Sequence, residues 1–295
     1  MKLEGALPGI FRRPFPVVEE GTAMLVAGTL LDTPRRDVLP IIRIQADKGT
    51  MSLTKRGSRH LAFSGYSLVA RLLATRPEDR YRFLFEPCER ALASFPLLEA
   101  GGLELSEVLD GFARERFGWA FVARGAAMRA VVTLADLVPL YQKGFLWTEL
   151  TVGDVASPMV FSLPRTAKVD EALRGMMKRR VRRVFLTGTG SFVSDREILT
   201  YLFSPERLSV VRRYPRRMLD PALEEVERVE PVEVDGRAAI GEASGLFKAA
   251  SGAWCAVCSE GVVTPWDLVM KPWKAGRLAF GEAAQVQRPR GGPAK

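Results

Sequence analysis

Apolar positions along this chain switch repeatedly between the two-residue spacing of strands and the three-to-four-residue spacing of helices. The third quarter gives the fullest example. Met159-Val-Phe-Ser-Leu163 predicts a short strand. A helix follows from near Thr166, with Asp170 and Glu171 in its first turn, where acids favour a helix start. Its apolar face is Val169, Ala172, Leu173, Met176 and Met177, the i, i+3, i+4, i+7, i+8 pattern. Arg183-Val-Phe-Leu-Thr187 predicts a second strand, Gly188 and Gly190 a turn, and Ser191-Phe-Val193 a third strand. Ser194-Asp-Arg-Glu197 then opens a second helix. The unit reads βαββα.

The same unit recurs. Phe112 is followed seven residues later by Trp119, and Phe247 seven later by Trp254. Each Trp leads into a strand, then a turn, then Val131-Val-Thr133-Leu-Ala-Asp136 in one copy and Val262-Val-Thr264-Pro-Trp-Asp267 in the other. The Trp-to-Thr distance is 14 in one and 10 in the other, a difference a longer turn absorbs. The first quarter fits more loosely. Pro16-Val-Val18 is its strand, Gly21 to Leu31 its helix and Leu39 to Ile44 its second strand. A polar insert, Asp47 to Arg59, then precedes Leu61-Ala-Phe-Ser64 and a helix around Leu68 to Leu73. Repeats at this scale set the fold. The expected units are 12–75, 91–141, 150–204 and 220–271, followed by a tail, 272–295, disordered at its end. Thr75 to Ala91, Gln142 to Glu149 and Ser204 to Pro221 read as linkers.

Bulk properties narrow the function. Among 295 residues, 47% are hydrophobic and 26% charged, as in ordinary globular domains. No apolar run reaches the roughly 18 residues that a membrane span needs. Met1 to Phe15 has no apolar signal core, so a cytoplasmic protein is expected. Three cysteines and a single histidine, His60, argue against a disulfide framework, a His-rich metal site and a Ser-His-Asp relay. No catalytic residue and no metal ligand is predicted, and an enzyme is not expected. The net charge of +9 favours an anionic partner: a nucleotide, a nucleic acid or an acidic protein.

Taken together, the repeats resemble the CBS-domain family, named for cystathionine β-synthase, over about residues 12 to 271. The likeness rests on Val152-Gly-Asp-Val155, Val169-Asp-Glu-Ala172-Leu and Val181-Arg-Arg-Val184 in the third unit. The fourth adds Gly261-Val-Val-Thr264-Pro-Trp-Asp267. The chain is similar to four-repeat members such as the gamma subunit of AMP-activated protein kinase and its archaeal relatives. The resemblance implies an α/β (α+β) fold of four βαββα repeats paired into two Bateman modules. It also implies regulatory binding of AMP, ADP or ATP in clefts between paired repeats, with a protein partner and a homodimer both open.

The tetrads suit such a ligand. A Thr that ends a strand and opens a helix is an N-cap, beyond which unpaired N–H groups and the helix dipole favour phosphate. A carboxylate three residues on can accept from two neighbouring ribose hydroxyls. Thr133 with Asp136, and Thr264 with Asp267, meet both needs. The same tetrad also stabilises a helix start with no ligand present. Ser194 is followed by Glu197, one methylene longer, and Ser64 by Ser67, which has no carboxylate. Ala130, Ser191 and Leu61 stand where the family has glycine. Arg182 and Arg183 stand where the family often sets basic residues against phosphate. Trp119 and Trp254 read either as walls for adenine or as packing between the repeats of a module.

Two other readings compete. Trp254-Cys255-Ala-Val-Cys258 looks like a thioredoxin-type site, but it falls on a predicted strand, where residues three apart face opposite ways. Clusters at Arg174 to Arg183 and Arg212 to Arg217 leave nucleic-acid binding as the alternative function, with the repeats as scaffold.

Overall fold

In the computed structural model, residues 1–13, 15–31, 38–45, 50–56, 59–95, 97–116, 118–124, 127–158, 161–249 and 254–281 are described. After helix α1 (Leu3–Ala6) come β1 (Val18–Glu19), α2 (Met24–Thr29), β2 (Val38–Gln45), β3 (Thr50–Leu53), β4 (Lys55–Arg56), β5 (Arg59–Ser64) and α3 (Gly65–Ala74). Helix α4 (Arg80–Phe83) and β6 (Leu92–Phe95) lead to β7 (Leu97–Glu99), α5 (Leu105–Glu115), β8 (Trp119–Arg124), β9 (Ala127–Thr133) and α6 (Leu134–Leu137). Strand β10 (Leu146–Trp147) and α7 (Val152–Val155) precede β11 (Ser162–Leu163), α8 (Val169–Arg179), β12 (Arg183–Leu186), β13 (Phe192–Ser194) and α9 (Asp195–Leu202). Helix α10 (Pro205–Arg213) follows, then β14 (Val232–Glu233), α11 (Ile240–Ala249), β15 (Ala256–Cys258), β16 (Gly261–Val263), α12 (Pro265–Lys274) and β17 (Ala279–Phe280).

The βαββα order therefore holds in four copies. Sheets β7-β8-β9, β11-β12-β13 and β14-β15-β16 share one topology, a parallel pair followed by an antiparallel pair. The first copy is enlarged to six strands, because β3 adds to β2, and β4 and β6 add to β5. Parts of the expected polar insert, 50–53 and 55–56, are thus strand. Strand β11 is shorter than the apolar run suggested; Met159 and Val160 lie outside the described residues, as does the tail from 282.

The apolar faces are buried in a crossed arrangement. Helices of the first and third repeats share one core, in which Met24, Leu68, Leu72, Val169, Leu173 and Leu202 are buried together. Helices of the second and fourth share another, around Leu105, Phe112, Leu137, Phe247 and Leu268. Sheet faces make the remaining contacts. Val38 and Ala62 meet Phe121 and Val131 between repeats one and two, and Phe192 meets Cys255 and Val262 between three and four.

Each repeat is also completed by its neighbour's leading segment. The residue just before the first long helix of every repeat forms a β-bridge with such a segment: Ala23 with Pro87, Glu104 with Lys2, Lys168 with Ala222, and Ala239 with Thr151. The next residue of each segment, Leu3, Cys88, Val152 or Leu223, is wholly buried. Met1–Arg13 therefore packs on the second repeat, through Leu3 N–H to Leu103 O (2.9 Å) and Leu105 N–H to Met1 O (2.9 Å). Thr151–Ser157 packs on the fourth, through Gly153 N–H to Gly236 O (2.7 Å) and Ser157 N–H to Val262 O (2.8 Å). The segments expected as linkers are structured for the same reason. Phe83, Leu84 and Cys88 fill the first core, as do Val211, Met218 and Leu219.

Candidate functional site

The four repeats end in equivalent strand-to-helix corners, at Ser64, Thr133, Ser194 and Thr264, each with extended backbone and each closing a capping box. Thr133 donates to Asp136 Oδ2 from its N–H (2.9 Å) and its hydroxyl (2.8 Å). Thr264 does the same to Asp267 Oδ2, at 2.8 and 2.6 Å. Ser194 donates to Glu197 Oε2 from both groups as well, its N–H at 2.9 Å. Burial works against the charged form of Glu197. The Ser194 bonds and the neighbouring Arg196 outweigh it and hold the carboxyl below its usual range. At the first corner Ser67 replaces the acid and its hydroxyl accepts from Ser64 N–H at 3.0 Å.

The second oxygen of each aspartate points away from the cap, and in both corners it has an internal partner. Arg13 Nη1 donates to Asp136 Oδ1 at 2.7 Å, while Nη2 reaches Oδ2 at 3.2 Å and Val131 O at 3.3 Å. At the fourth corner Ser157 Oγ donates to Asp267 Oδ1 at 2.9 Å, and Lys271 Nζ lies 3.0 Å from the same oxygen. Lys271 also donates to Val155 O (2.6 Å) and Ala156 O (3.1 Å). Neither Arg13, Ser157 nor Lys271 stood out in the sequence, although Lys271 follows Asp267 by four, a spacing that pairs charges on a helix. Helices α6 and α12 pack together in the second core, which sets the two aspartate corners on one side of the molecule. The Ser64 and Ser194 corners meet on the other, where α3 contacts α9.

The adjacent arginines diverge. Arg182 Nε donates to both oxygens of buried Asp195, at 3.2 and 2.9 Å, beside Gly65 of the first repeat. Arg183 lies over the Phe192 ring and donates from Nη2 to Trp254 O at 2.9 Å, tying the third repeat to the fourth. The two tryptophans diverge too. Trp119 begins β8 and packs beside Phe121 in the contact between repeats one and two. Trp254 precedes β15, with φ of 24°, and packs on Phe247 in its own repeat. The different Trp-to-Thr distances come from the strands and not from a longer turn. Strands β8 and β9 span six and seven residues and β8 starts at Trp119, whereas β15 and β16 span three each and β15 starts two residues after Trp254. Arg212, Arg213, Arg216 and Arg217 are exposed around the end of α10.

Cys255 and Cys258 face opposite sides of β15, the first in the contact with Phe192 and the second against the second core. All three thiols are free. Burial pushes Cys88 up to about 12 and raises Cys255 and Cys258 as well. Titration of the native protein with a thiol-reactive disulfide reagent should label Cys258 and spare the wholly buried Cys88 and Cys255 until unfolding. Rapid native labelling of Cys255, or a reversible bond between Cys255 and Cys258, would contradict this placement. Among the described residues, no group of three or more His, Cys, Asp or Glu could hold a metal ion. No helix of the described residues is long and apolar enough to cross a membrane.

No family model matches the sequence, and no curated protein matches it. Solved structures do. Protein MJ1225 from Methanocaldococcus jannaschii, considered an archaeal homolog of g-AMPK, superposes with a TM-score of 0.74 at 12% identity. That match covers 94% of this chain and all of the other. An uncharacterized conserved protein from Pyrococcus horikoshii matches with a TM-score of 0.48 at 11% identity, covering 80% of this chain and 91% of its own. The CBS domain protein PAE2072 from Pyrobaculum aerophilum, solved in complex with AMP, is 20% identical. It covers 46% of this chain and 96% of its own, with a TM-score of 0.32.

Proposed function

Because the chain has the four-repeat CBS-domain fold, we propose that it is a regulatory protein, without catalysis of its own, that senses an adenine nucleotide. AMP, ADP or ATP binds at the second and fourth repeats. Asp136 and Asp267 take the ribose hydroxyls there, with Thr133 and Thr264 holding each carboxylate in place. The single observation that supports this most is geometric. Both aspartates are buried and aligned by their own threonines through Oδ2, which aims Oδ1 away from the cap, toward Arg13 in one corner and toward Ser157 and Lys271 in the other. The ten-residue helix α12 adds the positive end of its dipole beside Thr264. Ser194, Glu197 and Arg182 form the third corner. Its acid is one methylene longer than an aspartate and its arginine is held to Asp195, which makes it the weaker candidate.

Calorimetry with AMP, ADP, ATP and a short DNA duplex tests the reading. Losing a charge-assisted hydrogen bond costs about 1.5–3 kcal/mol, so Asp136→Ala and Asp267→Ala should each weaken nucleotide at their own site roughly ten- to a hundredfold. A wild-type protein that binds the duplex and no adenine nucleotide would overturn the assignment in favour of the basic clusters. So would a folded double variant with unchanged nucleotide affinity.

A further inference from the structure

The two carboxylates assigned to ribose are also the points at which the leading segments are fastened. A carboxylate offers about four acceptor sites. Asp136 receives Thr133 N–H, Thr133 Oγ, Arg13 Nη1 and Arg13 Nη2. Asp267 receives Thr264 N–H, Thr264 Oγ, Ser157 Oγ and Lys271 Nζ. Each side chain is only 6% exposed, so water and mobile ions have little access to either. In both, two bonds come from the cap. The other two come from Arg13 of a leading segment at Asp136, and at Asp267 from Ser157 of a leading segment and from Lys271, which itself grips that segment.

The fastening chemistry differs between the modules while its effect is the same. In the first, the guanidinium of Arg13 reaches from the end of the Met1–Arg13 segment to the carboxylate across 123 residues of sequence. In the second, the ammonium of Lys271 reaches from the helix of Asp267 itself to the carbonyls of Val155 and Ala156, and Ser157 closes the ring. A guanidinium in one module and an ammonium plus a hydroxyl in the other thus meet the same oxygen of equivalent residues.

We infer that nucleotide occupancy and attachment of these segments compete for Asp136 and Asp267, an inference that rests on the assignment of ribose to those residues. A ribose diol needs two acceptor positions; the cap takes two of the four, and the other two come free only when Arg13, or Ser157 with Lys271, lets go. Binding at the second repeat therefore loosens residues 7–13, and binding at the fourth loosens residues 152–157. The anchors Leu3 and Val152, buried in the second core, keep each segment tethered. Arg13 and Lys271 set the threshold for the ligand: it must release an internal cation. Occupancy is converted into exposure of a short backbone segment on the neighbouring repeat.

Hydrogen exchange followed by mass spectrometry on the full chain tests this, with and without saturating AMP or ATP. Residues 7–13 and 152–157 should exchange about tenfold faster or more when nucleotide is bound, the loss expected for one charge-assisted bond. Ligand-free Arg13→Gln should reproduce the change in 7–13 alone, and Lys271→Met the change in 152–157 alone. Each variant should bind adenosine more tightly than the wild type at its own site. If nucleotide binds and both segments exchange at unchanged or slower rates, the competition is wrong although the ribose assignment stands. Ligand-free variants as protected as the wild type would show that Arg13 and Lys271 are not the fasteners. If neither the wild type nor the variants bind any adenine nucleotide, the ribose assignment and the competition fall together.

Discussion

Gly261→Ala is expected to destabilise the protein by about 3 kcal/mol or more, and to detach Thr151–Ser157 from the fourth repeat. Gly261 has φ of 143°, a backbone region that costs other residues roughly 1–3 kcal/mol. A Cβ there would lie 2.2 Å from Ser157 O and 2.8 Å from its carbonyl carbon, both backbone atoms, so no side-chain rotation relieves the overlap. Strand β16 would have to move away from the segment it binds through Ser157 and Val262. A chemical denaturation series read by circular dichroism measures the loss, and hydrogen exchange locates it. An alanine variant of wild-type stability would mean that this contact is not made in solution.

Leu3→Ala should cost about 2–5 kcal/mol, the range for truncating a wholly buried leucine. More telling is where the loss should fall. Leu3 sits in the core built from the second and fourth repeats, although in sequence it precedes the first. Exchange protection should therefore drop around Leu103 to Leu109 and leave β1 and β2 little changed. Loss confined to the first repeat would refute the exchange of leading segments.

The fold class was legible because each repeat switches from strand period to helix period in the same order. The matched Thr133-x-x-Asp136 and Thr264-x-x-Asp267 corners registered two of the copies against each other. The tetrads were legible as caps, and all four corners are capped. The leading segments were not. Each buries a pair of apolar residues three apart, Leu3 and Ala6, Cys88 and Ala91, Val152 and Val155, Leu223 and Val226, too short a pattern to register, and no shared residue type marks them. Val152-Gly-Asp-Val155 was assigned to the third repeat by sequence order, whereas its side chains pack on the fourth. The partnership of Arg13 with Asp136 was equally hidden, since an Arg pair near a chain end looks like solvated surface and pattern carries no distance across 123 residues. Trp119 and Trp254 mark the opposite case. Equal spacing from Phe112 and Phe247 suggested equal roles, but the strands of the fourth repeat are shorter, so Trp254 lies before β15 whereas Trp119 lies within β8.

The crossed cores also bear on how such a chain could have arisen. Odd repeats bury their helices against odd, and even against even, while neighbours along the sequence are joined by smaller sheet contacts and by their exchanged leading segments. A polypeptide ending after α6 would carry two bare helical faces with no internal cover, and the nearest complementary surface would be a second copy of itself. The present chain supplies that second copy covalently. Fusion of two such halves would have freed each face to diverge separately, since neither any longer had to fit its own image. The Arg13 fastening in one half and the Lys271 fastening in the other differ in the way such freedom permits, two chemistries at equivalent carboxylates that identical halves would have to share.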